Sequence, residues 1–282
     1  MVDIFDFDPT LDEYAVMGNP IAHSKSPRIH GLFAEQTGQA VHYSAIQVDP
    51  GGLEQAVGNF IASGGRGLNI TVPFKQDAWE LVDTRSARAE RAGAVNTIKM
   101  ESVTLYGDNT DGVGLITDLQ RNHGVVLQDT RILLMGAGGS ARGVLAPLLE
   151  QQPAQLVIAN RTEGRARDLA EAFADLGNVH GCGYDALGEI QFDVLLNATA
   201  ASLQGELPPL PDGLLAANSV CYDLMYGAEP TSFMQWAEQQ GAGSVFDGLG
   251  MLVEQAAESF FLWRGIRPDT APVIKTLRQE LH

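Results

Sequence analysis

Arg131-Ile132-Leu133-Leu134-Met135-Gly136-Ala137-Gly138-Gly139-Ser140-Ala141-Arg142 decides the fold of this chain. A short apolar run gives way to a glycine cluster, and the residues after it continue helically through Gly143-Val144-Leu145-Ala146. Such a run reads as a buried parallel strand ending at Met135. Gly136 and Gly138 then allow a tight turn whose backbone approaches a pyrophosphate lying on the N-terminus of a helix that starts at Ser140. The pattern is G-x-G-x-x-A, and on its own it also fits an ordinary strand-to-helix turn. The next strand, Gln155-Leu156-Val157-Ile158-Ala159, discriminates. It ends at Asn160-Arg161-Thr162, a little over the roughly 20 residues at which a dinucleotide fold places the group that reads the adenosine ribose. No carboxylate stands there to accept from a ribose 2′-hydroxyl, whereas the guanidinium forks of Arg161 and Arg165 match a 2′-phosphate. The residues therefore favour NADP over NAD.

A length of 282 residues suggests two domains, each large enough for its own core. The formal net charge is −17, from 18 Lys and Arg against 35 Asp and Glu. That surplus argues against non-specific nucleic-acid binding, which needs a basic face. Small anionic ligands stay compatible because cations concentrate locally, at Lys25, Arg28, Lys75, Arg142, Arg161 and Arg165. Cys182 and Cys221 stand in no metal-ligating spacing and read as buried thiols of a reducing compartment, so no metal site is expected. The N-terminus, with Asp3, Asp6, Asp8, Asp12 and Glu13, lacks the basic and apolar regions of a signal peptide, and no apolar run reaches membrane-spanning length. The expectation is a cytoplasmic protein, monomer or homodimer, whose partners are small molecules and neither nucleic acid nor membrane.

About one domain's worth of chain precedes the dinucleotide unit. The expected fold class is accordingly α/β with two domains. An N-terminal α/β substrate domain takes residues 1–112 and is completed by C-terminal helices in 247–282, and a Rossmann-type doubly wound NADP-binding domain takes 113–246. Tyr14-Ala15-Val16-Met17-Gly18 reads as a strand, followed by the loop Asn19-Pro20-Ile21-Ala22-His23-Ser24-Lys25-Ser26. Ser26 is the natural N-cap and Pro27 the natural first residue of a helix striped by Ile29, Leu32 and Phe33 and ended by Gly38. Two serines and a lysine at a strand's end are placed where α/β sheets bind ligands, though capping alone would also explain them.

Residues 41–48 give a second strand, and Leu53, Val57, Phe60 and Ile61 a helix by their three-to-four spacing. Gly67-Leu68-Asn69-Ile70-Thr71-Val72-Pro73-Phe74-Lys75 reads as a strand running into a Pro-started helix, with Lys75 in its first turn. The positive end of the helix dipole works against an ammonium there, which suits Lys75 to exchanging a proton near neutrality. A surface lysine lying along its own stem is the plainer alternative. Asn96 and the run Tyr106-Gly107-Asp108-Asn109-Thr110-Asp111-Gly112 add polar groups where the first domain hands over to the second, although Asn-Thr-Asp-Gly is also ordinary turn composition. Ile116 and Leu119 then suggest a linking helix.

Beyond the glycine cluster, a helix carrying Ala166, Leu169, Ala170, Phe173 and Leu176 alternates with strands at 192–197 and 219–224, as a doubly wound sheet requires. Asn197-Ala198-Thr199 and Asp223-Leu224-Met225-Tyr226 end those strands on the rim where a cofactor would run. Residues 247–263 read as a helix nearly all apolar on one side, with Gln255 a polar exception that a core position would have to satisfy. A last helix carries Val273, Ile274, Leu277 and Leu281.

Several blocks now stand in one order: Pro20-Ile21-Ala22-His23-Ser24-Lys25-Ser26-Pro27, Asn69-Ile70-Thr71-Val72-Pro73-Phe74-Lys75, Ala92-Gly93-Ala94-Val95-Asn96-Thr97 and Gly107-Asp108-Asn109-Thr110-Asp111-Gly112. With the glycine cluster, Asn160-Arg161-Thr162 and Gly250-Met251-Leu252-Val253-Glu254-Gln255-Ala256-Ala257, the chain resembles the shikimate dehydrogenase family from Tyr14 to the last helix. The resemblance implies an oxidoreductase that reversibly reduces 3-dehydroshikimate to shikimate with NADPH, on the route to chorismate and the aromatic amino acids. It further implies that Ser24, Ser26, Thr71, Lys75, Asn96, Asp111, Tyr226 and Gln255 hold the substrate's carboxylate and hydroxyls, with Lys75 and Asp111 as the catalytic pair. Gly136, Ala137, Gly138, Gly139, Ser140, Asn160, Arg161, Thr162, Arg165, Thr199, Met225 and Gly248 would bind NADP.

Two features depart from the family pattern. Ala200-Ala201-Ser202-Leu203-Gln204 stands where the family usually has a serine and then small residues, and the acidic N-terminal dozen residues have no assigned role. A dual-specificity quinate/shikimate enzyme generally favours NAD through an acidic residue that Asn160-Arg161-Thr162 does not supply. A related two-domain dehydrogenase of folates would not need the Ser24/Ser26 loop. A catalytically silent NADP-binding sensor would have no use for Lys75 and Asp111.

Overall fold

The computed structural model describes residues 10–188, 190–199, 201 and 205–281. The acidic residues Asp3, Asp6 and Asp8, and Ala200, Ser202, Leu203 and Gln204 of the atypical segment, lie outside the described residues. Two compact units divide the chain: residues up to Thr110 with Val253–Lys275, and Asp111–Leu252 with the residues from Thr276 onward.

The first unit begins with β1 (Asp12–Gly18), α1 (Ser26–Thr37), β2 (Val41–Gln47), α2 (Leu53–Ala62) and β3 (Gly67–Ile70). It continues with α3 (Lys75–Leu81), β4 (Thr84–Arg85), α4 (Ala87–Ala92), β5 (Thr97–Glu101) and β6 (Thr104–Asp108). The sheet runs β2-β1-β3-β5-β6-β4. β1 is parallel to β2 and β3, whereas β5 is antiparallel to both β3 and β6. The antiparallel turn brings Thr97, at the start of β5, opposite Asn69 near the end of β3. Met17, Phe60, Leu68, Ile70, Phe74 and Ile98 are fully buried in its core. A long helix, α9 (Leu249–Arg264), lays Trp263 across this sheet, and its Nε1 donates to Ile98 O at 3.0 Å. Gly67 makes room for it, since a Cβ at that position would come 2.6 Å from Trp263 Nε1.

The second unit begins with α5 (Asp111–Thr117), which runs into a π-helical turn (Asp118–Asn122), and continues β7 (Arg131–Met135), α6 (Gly139–Glu150), β8 (Gln155–Ala159) and α7 (Glu163–Ala172). Then come β9 (Val179–Cys182), β10 (Phe192–Asn197), β11 (Leu215–Asp223), α8 (Ser232–Gln239) and β12 (Ser244–Asp247). After α9 the described chain ends in α10 (Ala271–Leu281). Every strand pair is parallel and the order is β12-β11-β10-β7-β8-β9, the doubly wound arrangement with its reversal between β7 and β10. Helices cover both faces of such a sheet, which is why Ile132, Leu133, Leu134 and Met135 form an unbroken apolar run, each with no exposed surface.

Two local expectations change. Ser26 is the first helical residue of α1 and Lys25 precedes it as the cap position. The capping hydroxyl is that of Ser24, which accepts the Ser26 N–H at 3.3 Å. Pro73 does not start α3 either; the helix opens at Lys75 after Phe74, because Thr71 to Phe74 form a turn closed by Phe74 N–H on Thr71 O at 3.0 Å. No helix among the described residues is long and apolar enough to cross a membrane.

Candidate active site

In the first unit, the expected substrate residues gather at one end of the sheet. Ser24 and Ser26 follow β1, Thr71 and Lys75 follow β3, and Asn96 precedes β5. Backbone bonds tie these loops together: Thr71 N–H donates to Met17 O at 2.9 Å, Asn19 N–H to Val72 O at 3.0 Å, and Val95 N–H to Lys75 O at 2.8 Å. The last bond places the start of α3, and with it Lys75, directly against the segment that carries Asn96. Gly18 allows the first two loops to meet, since a Cβ there would overlap the Thr71 methyl.

A buried polar cluster fixes Asn96. Its Oδ1 accepts from Thr110 N–H at 2.9 Å and from the Thr97 hydroxyl at 2.9 Å, and its Nδ2 donates to Thr110 Oγ1 at 3.0 Å and to Gln255 Oε1 at 3.4 Å. Gln255, the polar exception on α9, therefore meets Asn96 and Thr110 in this unit. Beneath it, Asn69 takes the Tyr43 hydroxyl at 2.7 Å and gives its amide hydrogens to Asn96 O, Thr97 Oγ1 and Ser259 Oγ. Sequence reasoning missed Asn69, Thr97, Thr110 and Ser259 as site-building groups. The available signal was a polar residue inside an otherwise apolar strand or helix face, since such groups must be paired when buried.

The strand end just before Thr110 is held by charge. Arg88 grips Asp108 with Nε to Oδ1 at 2.7 Å and Nη2 to Oδ2 at 2.5 Å, and Ser86 Oγ adds a bond to Oδ1 at 2.5 Å. Burial raises the Asp108 pKa, but the Arg88 bonds and charge, with Ser86 and the Asn109 N–H, outweigh it and hold the carboxyl below its ordinary value. A charged Asp108 thus anchors Asn109, whose N–H it accepts at 2.7 Å. His30, fully buried on α1 and stacked on Tyr43 at 4.2 Å, is instead held neutral: burial lowers its pKa to about 3. Asn69 opposes that shift without completing a hydrogen bond, and neither His30 ring nitrogen has a hydrogen-bond partner among the described residues.

In the second unit, the expected cofactor residues line the carboxyl ends of the strands. Gly136 leaves β7 at φ 103°, a left-handed conformation that favours glycine. Its N–H donates to Ala159 O at 2.8 Å, and Ala198 N–H donates to Met135 O at 2.9 Å. Gly138 caps α6 with no side-chain bond to the first-turn N–H groups, and a Cβ on Gly138 or Gly139 would meet nothing within 4 Å. An open, uncapped helix N-terminus of this kind fits a pyrophosphate. Ser140 lies in the first turn of α6, and Thr162 precedes α7 with Asn160 Nδ2 on its carbonyl at 2.9 Å. The guanidinium groups of Arg142, Arg161 and Arg165 make no hydrogen bond or ion pair among the described residues. Arg167, on the same helix as Arg165, is instead paired with Glu163 at 2.6 Å.

Three polar strand ends shape the rest of this rim. Asn197 Oδ1 accepts from the Thr199 N–H at 3.1 Å and hydroxyl at 2.7 Å, and its Nδ2 donates to Asp223 Oδ1 at 3.2 Å. Asp223 accepts the Met225 N–H at 3.0 Å. Asp247, at the end of β12, is held by both Nη atoms of Arg278 at 2.7 and 2.5 Å and accepts Leu249 N–H at 3.2 Å. Thr199, Met225 and Gly248 are therefore positioned by Asn197, Asp223 and Asp247. Tyr226 is half-buried, and burial followed by the Asp247 charge raises its pKa, so its phenol stays protonated. Asp111, also expected at the site, is the buried first residue of α5 in this unit.

Comparison with known proteins follows the same division. A family model described as the shikimate dehydrogenase substrate binding domain matches residues 16–98. Models described as shikimate/quinate 5-dehydrogenase and as the shikimate 5'-dehydrogenase C-terminal domain match residues 118–204 and 248–278. The chain is 61% identical over 269 residues to a shikimate dehydrogenase (NADP(+)) of Alkalilimnicola ehrlichii, covering 95% of this chain and 99% of the relative. Among solved structures it is similar to a shikimate 5-dehydrogenase of Thermus thermophilus in complex with NADP(H) and shikimate, at 33% identity and a TM-score of 0.86, covering 96% of this chain and 100% of that one. It is also similar to an Ael1 enzyme from Pseudomonas putida, at 46% identity and a TM-score of 0.89, covering 94% and 98%.

Proposed function

The chain belongs to the shikimate dehydrogenase family, and on that premise we propose how its residues divide the reversible NADP-dependent reduction of 3-dehydroshikimate to shikimate. Ser24, Ser26, Thr71, Lys75, Asn96, Asp111, Tyr226 and Gln255 hold the substrate's carboxylate and hydroxyls. The first unit would be the substrate domain and the second the NADP domain. Bound NADPH supplies the hydride that reaches the ketone carbon. As that carbon is reduced, its oxygen takes on alkoxide character, and Lys75 delivers the proton that neutralises it, taking it back in the reverse direction. Asp111 orients the ammonium by charge and accepts from the neighbouring hydroxyl. The Gly136–Ser140 loop with the uncapped start of α6 takes the pyrophosphate, Asn160, Arg161, Thr162 and Arg165 the adenosine ribose and its 2′-phosphate, and Thr199, Met225 and Gly248 the remainder.

The observation that carries the substrate assignment is the Asn96–Thr110–Gln255 cluster, anchored to Lys75 through the Val95 N–H. It gathers fixed amide and hydroxyl groups at the carboxyl end of β3, where a polyhydroxylated ring would be read by hydrogen bonds. We place the reaction in the cytoplasm, in keeping with two cysteines that both remain free thiols. The test is NADPH formation with shikimate, beside parallel runs with quinate and with NAD. Turnover confined to shikimate and NADP is expected. Comparable turnover with quinate or NAD would move the chain to the dual-specificity class, and no turnover with any pair would overturn the catalytic reading.

A further inference from the structure

Arg142 has no role in the reaction as described so far, and its place in the fold is unfavourable for a cation. It is the fourth residue of α6, and its N–H closes the first turn on Gly138 O at 3.0 Å. The amide dipoles of a helix concentrate positive charge at that end, so a guanidinium there is repelled. The helix offers no compensation. No acidic residue stands in α6 before Glu150, and Arg142 makes no hydrogen bond or ion pair among the described residues. The next helix of the same unit, α7, shows the ordinary arrangement: it opens on Glu163, which pairs with Arg167 one turn on at 2.6 Å.

Helix geometry limits where this side chain can go. Residues three and four apart share a face, and each Cα–Cβ bond tilts toward the N-terminus, so a long side chain covers the turn before its own Cα. Toward the C-terminus, the face that carries Arg142 continues through Leu145, Ala146 and Leu149, all buried in the apolar core of this unit. That direction is filled. Toward the N-terminus it runs to Gly138 and Gly139, which are exposed and carry no side chain, and a Cβ on either would meet nothing within 4 Å. The half-buried Arg142 therefore has the glycine turn as its open direction, within reach of whatever meets the uncapped N–H groups of α6.

We propose that Arg142 is a binding residue for the cofactor's pyrophosphate: its guanidinium donates to the phosphate oxygens that face the start of α6. This role rests on the reading above that the pyrophosphate lies at that helix end. An anion placed there is attracted both by the helix N-terminus and by the arginine, which removes the conflict between the two positive groups, and two oxygens of one phosphate match the guanidinium fork. The charge of Arg142 is spent on a group that NADP and NAD share, whereas Arg161 and Arg165 act on the 2′-phosphate that only NADP carries.

The experiment measures dissociation constants by calorimetry on the full-length enzyme with three probes that separate the phosphates. NADP carries both groups, ADP-ribose keeps the pyrophosphate without the 2′-phosphate, and adenosine 2′-monophosphate keeps the 2′-phosphate without the pyrophosphate. Arg142→Met is expected to weaken NADP and ADP-ribose by one common factor, about ten- to thirtyfold for a charge-assisted hydrogen bond at a half-buried position, and to leave adenosine 2′-monophosphate within about twofold. Arg161→Ala/Arg165→Ala is expected to give the reverse pattern, weakening NADP and adenosine 2′-monophosphate and sparing ADP-ribose. Without cofactor, the melting temperature of Arg142→Met is expected at or above that of the parent, because the substitution removes a cation from the positive end of a helix. Unchanged ADP-ribose affinity in Arg142→Met, with or without a fall in melting temperature, overturns the proposal, and so does a loss shared by adenosine 2′-monophosphate. If the parent enzyme binds ADP-ribose no more tightly than adenosine, the pyrophosphate reading of the α6 start fails, and this role falls with it. Should Arg142→Met fail to fold, Arg142→Gln decides by the same pattern across the three probes.

Discussion

Removing both Arg161 and Arg165 should convert this enzyme's preference for NADP into near indifference between NADP and NAD. Neither guanidinium has an ion-pair partner among the described residues, so neither must break an existing bond to meet a phosphate. Both are exposed, which discounts the usual strength of a charge-assisted hydrogen bond, about 1.5–3 kcal/mol, toward about 1–1.5 kcal/mol each. At 1.4 kcal/mol per decade that is about five- to tenfold in KM for NADP per arginine, and about thirtyfold or more for the pair. KM for NAD should stay within about twofold, because without the 2′-phosphate there is nothing for the two cations to grip. Arg167 is the internal control: it carries the same charge on the helix that holds Arg165, but its guanidinium is engaged by Glu163 at 2.6 Å. Steady-state rates with both cofactors at several ionic strengths provide the assay, and the NADP advantage should shrink as salt screens the exposed charges. An unchanged NADP/NAD ratio in Arg161→Ala/Arg165→Ala, or an equal loss in Arg167→Ala, would refute the assignment.

Lys75→Ala should lower kcat by at least about a hundredfold with little change in KM, and Asp111→Asn by a similar order, because general acid–base help is worth that much; wild-type turnover in either variant would remove that residue from the chemistry. His30 imposes a pH dependence on stability. Its folded pKa of about 3 lies below the ordinary 6.5, so the unfolded chain takes up the proton first. Its contribution is therefore complete above pH 6.5 and lost as pH falls toward 3, about 2 kcal/mol by around pH 5. Denaturant titrations should give a flatter pH slope for His30→Leu between about pH 6 and 5, and an unchanged slope would assign the effect elsewhere. Gly248→Ala places a methyl on the Leu224 carbonyl, a backbone atom that cannot rotate away. The substitution should cost about 2 kcal/mol or more of stability and weaken NADP binding, and a parental melting temperature would show that the β11 and β12 ends move apart more freely than the packing suggests.

The second unit was legible because its signals are local. An unbroken apolar strand, a glycine turn and a helix start occupy Arg131 to Arg142, and β7, β8 and β10 fall where hydropathy puts them. The shorter elements were not. β4, β9, β12 and the β5–β6 hairpin have two to five residues each and mixed burial, so neither alternation nor an apolar run marks them. The same limit moved the start of α1, where a serine two residues further back supplies the capping oxygen, and of α3, where a turn absorbs the proline. Capping depends on which hydroxyl reaches which N–H, and spacing alone leaves that open by a residue or two.

Residue types and their order were enough to carry the resemblance to the family, and with it the reaction. Glycines that let backbone approach closely, arginines where a carboxylate would read a bare ribose, and the lysine and aspartate proposed for proton transfer are marked by residue type and position, and a linear string carries both. What tertiary structure alone decided is how those groups are held. Asn69, Asn96, Thr97, Thr110, Gln255 and Ser259 come from four separate stretches of chain and become one hydrogen-bonded cluster when β3, β5, the end of β6 and α9 meet. Likewise, Asn197, Asp223, Asp247 and Arg278 join the strand ends of the other unit. The physical reason is that a buried polar group must find its partner wherever the fold brings one within about 3 Å, and that distance exists only once the strands have paired.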